Sequence, residues 1–283
     1  MEQNPALTID PVIVPDCSEV NMDPAIIKMY QERYAEFLNI LKKDIYPESI
    51  PLRAKFSCTD EPVPYSERLD LEYKEIEPGN IWAKEWQSAW FNFTVEVPEK
   101  FADKELCLRI HTGGEALLFD DNGNPVYAFT GHSIFDSNFY RDRFIIGKKT
   151  PGTKLNYWIE GAAYALYGIR LPDYREQNPV NKHGSYPPEM RRMELCVFNS
   201  EVWKLMIDLT VMENMMKVET CKTRRGIRLL YEINQAIDIY NFNSANAEKT
   251  RRYLAEKVFS KAAASTAMTV TCIGHAHIDV GWL

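Results

Sequence analysis

The stretch Gly274-His275-Ala276-His277-Ile278-Asp279-Val280-Gly281-Trp282-Leu283 holds the densest set of side chains able to do chemistry in this sequence. The residues before it, Met268-Thr269-Val270-Thr271-Cys272-Ile273, are rich in strand formers. In extended backbone every second side chain shares a face, so His275, His277 and Asp279 point one way and Ala276, Ile278 and Val280 the other. Imidazole and carboxylate are donors that zinc accepts, and a same-face pair at a strand exit converges on one ion without bending the chain. The alternative is a strand end whose histidines hydrogen-bond to their neighbours.

The same ten residues resemble the opening of the catalytic domain in the α-mannosidases of glycoside hydrolase family 38, where this strand is the first of a parallel β/α barrel. The resemblance implies that His277 and Asp279 bind one zinc ion and that Trp282 lies against the sugar ring of an α-mannoside substrate. His275 matches a position behind the ligands and is not itself a ligand. The family's two further zinc ligands, a nucleophilic aspartate and a histidine, and its acid carboxyl group lie downstream of the motif. The resemblance therefore implies the amino-terminal part of a larger retaining α-mannosidase, inactive alone and without a catalytic residue of its own. In such an enzyme zinc orients the sugar and favours a distorted ring, while two carboxyl groups carry the displacement.

Two other hydrolase classes share part of the pattern. Metal-dependent amidohydrolases also open a barrel with His-x-His, and metallo-β-lactamase-like enzymes use His-x-His-x-Asp-His. Val280 stands where the last histidine of the second pattern belongs, and Asp279-x-Gly281-Trp282 favours the mannosidase over the first. A stand-alone carbohydrate-binding or oligomerisation module is the non-enzymatic alternative.

The elements that must position this motif fill 283 residues, enough for one large or two ordinary domains. With 45% hydrophobic and 26% charged residues the composition is globular. Its net charge of −7 offers no general attraction to nucleic acid or to an anionic membrane, so neither is an expected partner. The first twenty residues show no basic start followed by an apolar core, and no apolar run approaches the roughly 20 residues of a membrane helix. Six scattered cysteines, none in Cys-x-x-Cys spacing, predict reduced thiols and a cytoplasmic protein.

Residues 1–54 read as an arm and a helix. Asp23-Pro24 supplies a cap and a first-turn proline, and Ile26, Ile27, Tyr30, Tyr34, Phe37, Leu38 and Leu41 follow at helical spacing. Over 55–172 the period becomes that of strands. Trp90-Phe91-Asn92-Phe93-Thr94-Val95 and Leu106-Cys107-Leu108-Arg109-Ile110-His111 alternate, and Gly113-Gly114-Glu115 and Asp120-Asp121-Asn122-Gly123-Asn124-Pro125 mark turns. The predicted fold is an antiparallel β-sandwich of the jelly-roll kind, similar to the domain ahead of the barrel in one branch of the same family.

The many aromatics of this region, among them Trp82, Trp86, Trp90, Tyr140, Tyr157, Trp158, Tyr164 and Tyr167, could stack on sugars or fill the core; alternation favours the core. Residues 135–143 read as a polar loop. Residues 173–200, with four prolines and glycines among them, read as a linker, and 201–265 as a helical connector whose third helix is capped by Ser244. Residues 266–283 are then the first strand of a truncated barrel. The resemblance also implies self-association, making a homo-oligomer the expected state of the full-length protein.

Overall fold

The computed structural model describes residues 22–84, 86–131, 140–163, 188–219, 223–260, 271 and 273. The chain divides into two compact units, one formed by Leu41–Trp203 and the other by Met1–Ile40 with Lys204–Leu283.

The first unit is the jelly-roll sandwich. Among the described residues ten strands build it: β1 (Ser49–Pro51), β2 (Arg53–Thr59), β3 (Lys74–Ile76), β4 (Ser88–Glu96), β5 (Leu106–His111), β6 (Glu115–Phe119), β7 (Pro125–Phe129), β8 (Arg143–Gly147), β9 (Lys154–Ala162) and β10 (Arg192–Val197). They form a four-stranded sheet in the order β1-β10-β5-β8 and a six-stranded sheet in the order β3-β2-β4-β9-β6-β7. Every pairing is antiparallel.

Period-two alternation decides which face of each strand is buried. Ala89, Phe91 and Phe93 of β4 enter the core with Ile159 of β9, while Leu106, Leu108 and Ile110 of β5 and Leu195 of β10 close it from the other sheet. Phe91, Phe93, Leu106, Leu108 and Leu195 are wholly buried. Removing each such side chain from water contributes about 1.5–3 kcal/mol.

Two boundaries differ from the sequence reading. Residues 173–200 were expected as a linker, yet Arg192–Val197 is a strand between β1 and β5. Its Met193, Leu195 and Val197 all point into the core, a period-two signal that the neighbouring prolines obscure. The sandwich also begins before residue 55, because Ser49–Pro51 pairs with β10. Pro51 is tolerated there since β1 is an edge strand.

Gly113 turns the chain between β5 and β6 at φ +82°, and a methyl group on it would lie 2.5 Å from the carbonyl oxygen of Glu189 and 2.7 Å from its nitrogen. Gly152 has a similar φ of +79° with nothing within 4 Å. Gly113→Ala is therefore expected to cost about 3 kcal/mol, because backbone must move as well as bend, and Gly152→Ala about 1–2 kcal/mol from conformation alone. Denaturant midpoints of the two variants measure the difference.

The second unit is helical. In α1 (Pro24–Ile45) the Asp23 carboxylate accepts from the Ala25 N–H at 2.7 Å, as the Asp-Pro start predicts. In α2 (Ser200–Glu219), Leu205, Leu209 and Met212 lie on one fully buried stripe. In α3 (Arg224–Tyr240), Thr223 caps the first turn by accepting from the Gly226 N–H at 3.0 Å, and Asn241 ends it in the left-handed region. The Tyr34 hydroxyl donates to the Leu209 carbonyl at 3.1 Å, and Phe37 meets Tyr240 edge-on at 5.1 Å.

Helix α4 (Ala247–Leu254) is entered through a tight turn at Ser244–Asn246. Asn243, not the expected Ser244, caps that turn, accepting from the Ala245 N–H at 3.0 Å. The expected barrel strand at 266–283 lies outside the described residues except for Thr271 and Ile273, both exposed. No described helix is long and apolar enough to cross a membrane.

Candidate functional site

On the outer face of the six-stranded sheet, side-chain size varies sharply from strand to strand. Trp90 of β4, Phe119 of β6 and Tyr65 of the turn Tyr65–Asp70 pack together, with ring centroids 5.0–5.7 Å apart. The Trp90 indole N–H donates to the Val63 carbonyl at 2.8 Å, and the Tyr65 hydroxyl to that of Asp120 at 3.0 Å. One end of the sheet is thereby roofed.

Beside this roof the outward positions are small. Ser88 faces Ala162, Ala162 faces Glu115, and Leu117 lies between Glu160 and Ala128. The result is a hollow of about 280 Å³ lined by Pro62, Ser88, Glu115, Leu117, Ala128 and Glu160, with Leu117 40% exposed in it.

Two carboxyl groups border this apolar floor. Burial raises the Glu115 pKa above the ordinary carboxylate range, although the Thr130 hydroxyl, donating at 3.1 Å, and the Gly131 N–H pull it back. Burial alone raises that of Glu160, which has no hydrogen-bond or ion-pair partner among the described residues. Both carboxyls ionise at lower pH in the unfolded chain, so their contribution is fully present in acid and is lost as pH rises through the folded pKa. Glu160→Gln is accordingly expected to raise the melting temperature by about 1–3 °C at pH 7 and to change nothing near pH 3.5, which a pair of thermal scans checks.

The aromatics expected either to bind sugar or to pack divide by position. Trp82 and Trp90 are buried with their N–H groups bonded, Trp82 to the Thr112 carbonyl at 2.7 Å. Trp158 is half-buried against Tyr73 and below the Arg68 guanidinium, 4.8 Å from its ring. Only Trp86 and Tyr140 of those singled out are largely exposed among the described residues. Tyr164 and Tyr167 lie outside the described residues.

Of the polar segment 135–143, residues 140–143 are described. Asp142 there is buried, accepting from Arg109 at 2.7 Å and from Arg192 at 2.5 Å. That cluster and the hollow escaped sequence reading, since each is assembled by strands distant along the chain.

His275, His277, Asp279 and Trp282 lie outside the described residues. Among the described residues no three His, Cys, Asp or Glu side chains are grouped to hold a metal ion.

A family model described as the jelly roll domain of alpha-mannosidase matches residues 50–195, the whole of the ten-stranded sandwich but its outermost residues. The chain belongs to this α-mannosidase family. Human alpha-mannosidase 2C1 is 26% identical over 250 residues, covering 86% of this chain and 23% of that protein. Alpha-mannosidase G of Dictyostelium discoideum is 25% identical over 263 residues, 89% of this chain and 24% of its own. The chain thus spans about a quarter of the length of the curated relatives it matches.

Among solved structures, an uncultured Clostridium beta-glucuronidase overlaps 53% of this chain and 29% of its own at 12% identity and a TM-score of 0.34, too loose a likeness to argue from. For the α-mannosidase family the boundaries at 50 and 195 fall within β1 and β10, the strands that pair with each other, so the match spans one closed structural unit.

Proposed function

We propose that this chain is the amino-terminal part of a zinc-dependent retaining α-mannosidase that removes terminal α-mannosyl residues from oligosaccharides or glycans. The family match over 50–195 carries the reading, and the relatives, named alpha-mannosidases, support it over most of the chain. In it the sandwich is a scaffold, because its largest aromatics are committed to packing.

The residues with chemistry are those of the terminal motif. His277 and Asp279, one imidazole and one carboxylate at alternate positions, form a donor set that suits zinc and would hold one ion from one face of an extended strand. When bound, zinc supplies a fixed positive charge that orients sugar hydroxyls and favours a distorted ring. Trp282 would offer its face to the C–H side of the mannose ring, and His275 would fix the strand behind the ligands. The nucleophile and the acid are assigned to no residue of this chain. A cytoplasmic homo-oligomer with no nucleic-acid or membrane partner completes the proposal, consistent with the net charge of −7.

The test is to express a protein of the relatives' full length carrying this sequence and to assay it on a chromogenic α-mannoside. Metal removal by a chelator should abolish hydrolysis, and zinc should restore it. A folded, metal-loaded protein that leaves α-mannosides intact would sink the proposal.

A further inference from the structure

On the outer face of the four-stranded sheet, Cys107 of β5 stands directly opposite Cys196 of β10. The Phe198 N–H donates to the Glu105 carbonyl at 2.8 Å, which makes that facing pair a hydrogen-bonded one. Counting by twos along the ladder puts Cys107 and Cys196 in the same class, whose α-carbons stand about 5.5 Å apart. A disulfide spans about 4.4–6.8 Å between α-carbons, a range that includes the separation of this class of pair. Both thiols are free and both are wholly buried, and the Cys196 thiol donates to the Glu194 carboxylate at 3.9 Å.

Ile145 of β8 stands opposite Cys107 and Ser49 of β1 opposite Cys196, and two arginines lie nearby. The Arg109 guanidinium lies 4.1 Å from the Tyr46 ring centroid, and Arg143 donates to the Tyr46 hydroxyl at 3.1 Å while lying 4.3 Å over the Trp203 ring.

We propose that Cys107 and Cys196 form a latent oxidation site that a peroxide converts to a disulfide between β5 and β10. One thiol gives up its proton and its sulfur attacks a peroxide oxygen; the O–O bond breaks, leaving a sulfenic acid and releasing one water. The facing thiol then attacks that sulfur and expels the hydroxyl as a second water, so two electrons from the sulfurs have reduced one peroxide. The neighbouring Cys196 thiol, together with burial, pushes the Cys107 thiol above the usual thiol pKa, while Arg143 and Arg109 oppose that shift. Oxidation of the buried pair is consequently slow. Cys58 lies on the other sheet, in β2, and has no facing thiol.

The experiment treats the folded 283-residue chain with hydrogen peroxide, blocks the remaining thiols under denaturing conditions, and maps the digest by mass spectrometry. The expected product is one cross-linked peptide pair joining Cys107 to Cys196, lighter by two hydrogens and restored by a thiol reductant. Because the bond closes a long loop, oxidation should raise the melting temperature by about 5 °C or more. Cys107→Ser and Cys196→Ser should each abolish both effects, and Cys58→Ser neither. Recovery of Cys107 and Cys196 as separate alkylated or over-oxidised residues, or a cross-link that forms only after unfolding, overturns the proposal.

Discussion

In the full-length protein, His277→Ala and Asp279→Ala are each expected to lower kcat/KM on an α-mannoside by at least about a hundredfold and to reduce bound zinc below one ion per chain. Each change deletes a donor outright, and no cluster of three candidate ligands among the described residues offers a substitute. His275→Ala should behave differently. A residue that orients a ligand from behind typically costs about ten- to a hundredfold in affinity or rate, so the protein should still load zinc when the metal is in excess. Metal analysis alongside kinetics separates the two roles. If His275→Ala empties the site while His277→Ala leaves it loaded, the assignment of ligand and support is reversed, and the amidohydrolase pattern, in which both histidines bind metal, regains weight. Trp282→Ala should leave zinc content intact and raise KM, since it removes a stacking face and no donor.

The sandwich was legible where a strand carries its own signal. The alternation of Ala89, Phe91 and Phe93 with Ser88, Asn92 and Thr94 needs no partner strand to be seen, and the structure buries the first set. The start of α1 was equally local, because Asp23 and Pro24 act within one turn. Arg192–Val197 was missed although Met193, Leu195 and Val197 alternate into the core, because Pro179, Gly184, Pro187 and Pro188 just ahead of it read as linker. The hollow has no such local signal. Ser88, Ala128 and Ala162 are unremarkable in their own strands and make a depression only once β4, β9, β6 and β7 lie side by side. Trp90 shows the limit of period-two reasoning, since it points away from the core and is nevertheless buried, under Tyr65 and Phe119. The terminal motif was readable as residue types and spacing, but it falls outside the described residues and rests on the resemblance.

The largest single loss of stability is expected from Asp142→Ala, at about 3–5 kcal/mol. Asp142 sits 7% exposed between Arg109 and Arg192, accepting a hydrogen bond from each, and its own carbonyl accepts from the Ile110 N–H at 2.8 Å. Arg109 is the residue at risk. Its side chain is only 14% exposed, and its Nε is buried without a hydrogen-bond partner among the described residues. Burial works against its charge; Asp142 and Tyr46 outweigh that and hold its pKa above the ordinary guanidinium value. Removing the carboxylate leaves a cation that cannot discharge, with the Tyr46 ring as its chief remaining attraction. Arg192→Ala should cost much less, because Arg192 is 31% exposed and Asp142 keeps Arg109 when it goes. Asp142→Asn should fall between, since the amide still accepts one bond but brings no charge. Glu248→Ala supplies the baseline: its i,i+4 pair with Arg252 is 69–76% exposed and should contribute under about 0.5 kcal/mol. Urea unfolding of the four variants, followed by the fluorescence of the buried tryptophans, ranks them. If Asp142→Ala proved no more costly than Glu248→Ala, the buried cluster would be adding nothing to the sandwich beyond what water offers its members at the surface.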